Sequence, residues 1–498
     1  MKARKTINRG WALPCFLVWA TSAQVVVADQ RHITDLVPAD CIAMYTARPY
    51  SDWRPEQPAP DNASAGGSQL TAILTFLNAS GLIPREGQVF ADIAARLPLL
   101  GRYEHALALL DVSSKVVRGK DKDAGKTSNS LRLKSLQSAA IFRTGGENED
   151  VLRHLNQVVG RYTNTDVAKL TTERVGKYAF QRLVDERLIG WAIWEWGTLG
   201  DFFVVTFGEG AFARIARAYS GSEQSLAEDA WFKFATIRAH GDRALVQWFI
   251  SLSQLEKALA DVAGARYQQA TSAIGADKMT HDLWTIGMQG RAMSWYRCYR
   301  RDGKDVLRAY SDPDRHPAHL REIVPDAARR YAIINVPTRW LVDNLPAAWL
   351  KAQSERHVAR LTGAWERLER ETGIDIGKNL IDHLGDNVVI FDYPPHPLKV
   401  PVALTVAIEI NDRKAVQTAT DALLSAWGRY LDQRAERKGT TLVRMYVKRA
   451  DDGVWYIQAG ILGPSLKVTD RYLVISWSPA AVREAVAIIE SSQAKAKR

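Results

Sequence analysis

Val402-Ala403-Leu404-Thr405-Val406-Ala407-Ile408-Glu409-Ile410-Asn411-Asp412 is the stretch from which the fold can be read. Its large apolar residues fall at every second position, the period of a half-buried strand. Asn411-Asp412 then offers a helix cap, and Ala415, Ala419, Leu423 and Trp427 continue at helical spacing. The full run, Val402 to Ile489, reads as strand, helix, three strands, helix. A weaker copy runs from Leu136 to Tyr219. There Leu136, Ser138, Ala140 and Phe142 take the strand parity, and Gly160-Arg161-Tyr162 answers Gly428-Arg429-Tyr430. Phe203, Val205 and Phe207 answer Leu473, Ile475 and Trp477. A one-residue slip would turn every apolar side chain to solvent, so shared parity implies shared core faces. The expectation is an α+β fold: two related units of mainly antiparallel sheet with helices packed on one face, produced by internal duplication. Phe142 should then coincide with Ile410, Tyr162 with Tyr430, and Val205 with Ile475.

At 498 residues the chain is too long for one ordinary core. Hydrophobic residues at 46% and charged residues at 24% are those of a folded chain rather than a disordered one. Residues 1–28 stand apart. Lys2, Arg4, Lys5 and Arg9 precede the apolar run Trp11–Val27, and Thr21-x-Ala23 or Val26-x-Ala28 supplies small residues for cleavage. This reads as a signal peptide. An uncleaved anchor is the rival, but Pro14, Thr21, Ser22 and Gln24 make a poor span. The chain is therefore expected to be exported, to the periplasm, cell envelope or exterior. Four of its eleven net positive charges leave with the signal, and the +7 that remains is spread over helix faces, apart from the loop Lys115–Lys134 and the tail Lys495–Arg498. That distribution argues against nucleic acid, and an anionic or glycan component of the envelope is the better partner. No transmembrane span is expected in the mature chain.

The N-terminal domain is expected over residues 29–310, with the copy 136–219 and an extension 227–300. The C-terminal domain is expected over 321–498, with the copy 402–489. Val37-Pro38-Ala39-Asp40 and Val324-Pro325-Asp326-Ala327 open the two halves in the same way, each before a strand, Cys41–Ala47 and Arg330–Val336. Ser113–Ser135 reads as a mobile charged loop, and Arg301–Arg321, with Pro313 and Pro317, as the boundary. In the extension, a strand at Ala244–Leu252 and a helix at Gln254–Val262 precede two strands that turn near Gly290.

Thr372-Gly373-Ile374-Asp375, then Leu384-Gly385-Asp386-Asn387-Val388-Val389, then a strand ending Ile410-Asn411-Asp412, resembles exported bacterial proteins grouped as domain of unknown function 3352. The paired Val-Pro openings fit it too. Its motifs are turn residues and fold-level glycines, and the resemblance implies no active site.

Motifs that could carry chemistry each have a plainer explanation. Gly208-Glu209-Gly210-Ala211-Phe212-Ala213 follows a strand and opens a helix, as a dinucleotide-binding turn would. Glu209, however, puts a carboxylate where a pyrophosphate should sit, and the second copy has Ser478-Pro479-Ala480-Ala481 there, an ordinary helix start. Gly119–Thr127 imitates a phosphate-binding loop with one residue too many between its glycines. His316 and His319, with Asp312 and Asp314, could offer metal ligands, but nothing downstream completes a shell. Asp375, Asn379 and Asp382 suit helix capping better than calcium. Ser492–Lys495 lies in the tail. For Cys41 and Cys298 two readings stand: a disulfide worth about 5 kcal/mol in the chain-entropy model, or two buried free thiols, which is preferred. Sixteen tryptophans are unusual. In Leu188–Trp196, Trp191 is expected on one strand face and Trp194 and Trp196 on the other, as core rather than as an aromatic groove for sugars or peptides.

No catalytic, cofactor-binding or metal-binding residues are assigned, and no cofactor is expected. The reading is a non-catalytic binding or structural module of the cell envelope. The alternative is a hydrolase whose site is assembled between the halves.

Overall fold

The computed structural model describes residues 31–49, 52, 102–120, 127–149, 151, 153, 155, 167–186, 190–259, 272, 278–335, 355–393, 404–438, 446–458 and 463–496. The chain forms two compact units, Met1–Phe234 with Leu245–Val262, and Ala235–Ala244 with Ala263–Arg498. Its described helices are α1 (Ala211–Ser220), α2 (Ala230–Arg238), α3 (Leu252–Leu259), α4 (Ala318–Arg321), α5 (Glu355–Thr372), α6 (Ile376–Asn379), α7 (Arg413–Lys438) and α8 (Pro479–Ala496). The fold is α+β, with large antiparallel sheets.

In the first unit the strands are β1 (Ala43–Ala47), β2 (Glu104–Lys120), β3 (Thr127–Arg143), β4 (Ala168–Val175), β5 (Tyr178–Asp185), β6 (Trp194–Leu199), β7 (Phe202–Phe207) and β8 (Ala244–Ser251). They pair antiparallel in the order β8-β1-β2-β3-β7-β6-β5-β4. Every residue of β7, Phe202 to Phe207, is buried, because this strand has packing on both faces. One face joins Phe203, Val205, Ala140, Phe142, Trp194 and Trp196 with Val151 and Leu155. The other takes α1, whose Phe212 ring stacks on Phe180 at 4.8 Å.

The second unit contains β9 (Met279–Gln289), β10 (Ala292–Arg301), β11 (Lys304–Ser311), β12 (Tyr331–Asn335), β13 (Leu384–Phe391) and β14 (Thr405–Ile410). Strands β15 (Tyr446–Arg449), β16 (Trp455–Gln458), β17 (Ser465–Val468) and β18 (Tyr472–Ser476) follow. Pairing runs β12-β13-β14-β18-β17-β16-β15, all antiparallel. The ribbon β9-β10-β11 joins this sheet where Ala292 meets Tyr331 in parallel. Asp302-Gly303, both at positive φ, closes the β10–β11 hairpin, as the twist of the two strands requires.

Several expectations change. Helices cover both sheet faces, not one. In the second unit α8 supplies Val482, Ala485, Val486 and Ile489 to the face of Ala407 and Val474. Val416 of α7 packs on the opposite face, with Ile410, Leu473 and half-buried Ile475. The cause is in the strands, which are apolar at both parities. The units also do not divide at Arg301–Arg321. That stretch holds β11 and α4, buries Ser311, His316 and Leu320, and belongs with the second unit through the β10–β12 contact. Ser113–Ser135 is not wholly a loop. Strands β2 and β3 run on as a ribbon, from Ser114 opposite Leu133 to Lys120 opposite Thr127, because an antiparallel pair tolerates water beside it.

The pairing order β1-β2-β3-β7-β6-β5-β4 of the first unit has the same connections as β12-β13-β14-β18-β17-β16-β15 of the second. Val205 stands opposite Ala140, and Ile475 opposite Val406. Phe203 stands opposite Phe142, whereas Leu473 stands opposite Ile408. By register, then, Phe142 answers Ile408 and not Ile410, a slip of two that preserves parity. Tyr162 lies outside the described residues, and Tyr430 is exposed on α7.

Candidate functional site

The turn Gly208–Ala213 is where sequence chemistry and structure meet first. Gly208 sits at φ 106°, and an added Cβ would lie 2.0 Å from the Leu136 carbonyl oxygen, so the chain reverses here only through glycine. Helix α1 begins behind it, and the amides of its first turn have no carbonyl partner within the helix. Those amides are already engaged. Glu195 on β6, 1% exposed, accepts from the Gly210 amide at 3.1 Å and from the Phe212 amide at 3.0 Å. Arg182, opposite Glu195 on β5, places its guanidinium 3.8 Å away and bonds Glu209 at 2.7 Å and Glu173 at 3.3 Å. Burial pushes the Glu195 carboxyl above the usual carboxylate range, against the two amide donors and Arg182, which pull it down. The position a phosphate would take at a dinucleotide turn is therefore filled by the protein's own carboxylate. This cluster ties α1 to the sheet. The signal for it was one carboxylate in the apolar run Trp194-Glu195-Trp196.

Other motifs resolve in the same direction. Gly119 and Lys120 lie on β2 and Thr127 on β3, while 121–126 lie outside the described residues. His316 is buried with its Nε2 3.1 Å from Ser311 Oγ, whereas His319 stands 3.6 Å from Glu409. The two histidines thus take different partners. Among the described residues no group of three His, Cys, Asp or Glu side chains could hold a metal ion. Asp375 accepts from the Lys378 amide at 2.9 Å and caps α6, and Asn379 accepts from the Asp375 amide. Ser478 and Asp412 cap α8 and α7 through the Ala481 and Ala415 amides. Ser492 lies within α8. Cys41 and Cys298 are buried free thiols, and burial pushes them up to about 12 and about 11. Trp194 and Trp196 are core as expected, but β6 starts at Trp194, so Trp191 packs on the same cluster rather than on the opposite face.

A second cluster was not anticipated. On one face of β9-β10-β11 the rings of Trp284, Trp295 and Tyr310 meet at 4.9 to 5.7 Å, all half-buried. Arg297 lies over Trp284 at 4.5 Å and over Tyr299 at 4.7 Å. It holds Asp282 with two bonds of 2.8 Å, and Trp284 Nε1 donates to the same carboxylate at 3.0 Å. The charge of Asp282 is thereby consumed. Arg308, opposite Arg297, is exposed, as are Arg301 and Lys304, which face each other at the hairpin end. The face combines half-exposed aromatic rings with a surplus of cations. Tyr310 and Arg308 went unnoticed because this stretch reads as a linker by its prolines.

No protein-family model and no curated protein matches the chain. Among solved structures it is similar to crystal form IV of TP0453, with 10% identity, 54% of this chain and 79% of that chain covered, and a TM-score of 0.25. It is similar to crystal form III of TP0453 at 9% identity over the same shares, with a TM-score of 0.26. Among the described residues no helix is long and apolar enough to cross a membrane.

Proposed function

We propose that the chain is an exported, non-catalytic module of the cell envelope that binds an anionic glycan on the β9-β10-β11 face. One observation carries this reading: Trp284, Trp295 and Tyr310 lie half-exposed on the strand face that carries exposed Arg308 opposite Arg297, with exposed Arg301 and Lys304 further along it at the hairpin end. Aromatic rings pair a large apolar surface with the C–H edges of sugar rings, and guanidinium forks bind carboxylate or phosphate groups. The basic leader at residues 1–28 supports export, and a glycan is then a nearer partner than nucleic acid. We also propose that the two units descend from one duplicated α+β unit, on the strength of their common pairing order and parity. Membership of the domain of unknown function 3352 group is a proposal of the same standing, resting on the turn residues around Thr372–Asp412.

Gel electrophoresis through a matrix cast with polygalacturonate should retard the mature chain, and one cast with dextran should not. Trp284→Ala and Arg308→Glu should each abolish the retardation. Equal migration in both gels sinks the reading, and retardation by single-stranded DNA alone replaces it with another.

A further inference from the structure

Independently of the glycan reading, the structure assigns a self-association surface: the free edge of β4, onto which a second copy of this chain adds its own β4 antiparallel, with the two Thr171 residues on the two-fold axis.

Strand β4 ends the pairing order of the first unit, and among the described residues its outer edge meets no strand. Residues Lys169 to Thr172 are exposed, Leu170 at 47%. The β4–β5 ladder runs from Ala168 opposite Asp185 to Val175 opposite Tyr178 without a bulge. An edge of eight residues with no proline and no bulge lacks the usual guards against pairing, apart from Lys169 and Arg174.

The hairpin fixes which backbone groups are free. Its loop is Gly176-Lys177, with Gly176 at φ 57°, so Val175 and Tyr178 form the closing hydrogen-bonded pair. Alternation from there turns the amides of Val175, Glu173, Thr171 and Lys169 inward to β5. Those of Arg174, Thr172, Leu170 and Ala168 point outward. A second copy must match outward residues with outward residues. Centring on Thr171 does so over the whole strand: Leu170 meets Thr172, and Ala168 meets Arg174, each twice.

The side chains then complement one another. In this register Lys169 of one copy stands opposite Glu173 of the other, twice, at the closer non-hydrogen-bonded spacing. Lys169, which pairs with Glu186 at 3.0 Å within its own chain, and Glu173, which pairs with Arg182 at 3.3 Å, each gain a second partner in this way. Centring on Glu173 would oppose like charges, and centring on Leu170 would leave Lys169 opposite Thr171. The free amides allow any register centred on a residue of β4, and among these the charges favour the one centred on Thr171.

Sedimentation velocity of the mature chain over a concentration series tests this. The unsubstituted chain should pass from monomer to dimer. Thr172→Pro removes an outward amide that the β5 ladder does not use, and should leave monomer with an unchanged circular dichroism spectrum. Lys169→Glu should weaken the dimer about tenfold by losing two exposed pairs, and adding Glu173→Lys should restore it. Monomer at every concentration overturns the proposal, as does a dimer that survives Thr172→Pro. If the proline variant fails to fold, the charge pair decides: absence of rescue in the double exchange overturns the register.

Discussion

The Glu195 carboxylate accepts the Phe212 amide at 3.0 Å from a site 1% exposed to solvent. A helix start that resembles a phosphate turn is thus closed by a side chain from the neighbouring strand. Glu195→Ala should cost about 3 kcal/mol, because two amides lose their acceptor in a buried place. Urea unfolding checks the cost. Hydrogen exchange should show the Gly210 and Phe212 amides losing protection before the rest of α1.

The same carboxyl carries a pH signature. Its folded pKa lies above the ordinary carboxylate value, so the folded chain holds a proton there that the unfolded chain has released. The contribution to stability is therefore full at acid pH and falls as pH rises from the ordinary carboxylate range through the raised value. Glu195→Gln should remove that slope. Urea midpoints across this window measure it, and a midpoint that rises with pH in the unsubstituted chain but not in the variant would contradict the sign.

Gly208 and Gly210 both have positive φ, but their surroundings differ. An alanine Cβ at 208 would run into the Leu136 carbonyl oxygen, whereas nothing lies within 4 Å of one at 210. Gly210→Ala should cost about 1–2 kcal/mol from backbone strain alone. Gly208→Ala should cost distinctly more, since β3 must shift. Thermal unfolding of the two variants compares them.

Buried thiols give a further check. Cys41 and Cys298, pushed up to about 12 and about 11, hold almost no thiolate at mild pH. Iodoacetamide should leave both thiols unmodified in the native chain and alkylate both after denaturation, as read by intact mass. Absence of modification after denaturation without reductant would mean a disulfide instead. The same spectrum reports whether residues 1–28 have been removed.

How far the sequence could be read depends on the element. Alternation in Val402–Ile410 located β14 and its parity, because a strand packed on both sides still keeps a period of two. It could not say that helices cover both faces, since Ala407 and Ile408 are equally apolar to a pattern. The boundary was misplaced for a related reason: Pro313 and Pro317 read as linker punctuation, while Asp302-Gly303, a strong hairpin signal, marked β11 immediately before them. Glu195 was invisible as a cap, because its partners Gly210 and Phe212 lie 15 and 17 residues away. Arg297 and Asp282 meet only when β9 and β10 pair, and register is what sequence spacing leaves open.

Calorimetric titration of the chain with polygalacturonate reads the β9-β10-β11 face without a gel matrix. Binding should be saturable, weaken as salt is raised, be lost in Trp284→Ala and in Arg308→Glu, and be absent with dextran. Binding that persists in both variants, or equal heats with the neutral polymer, would contradict the proposed function.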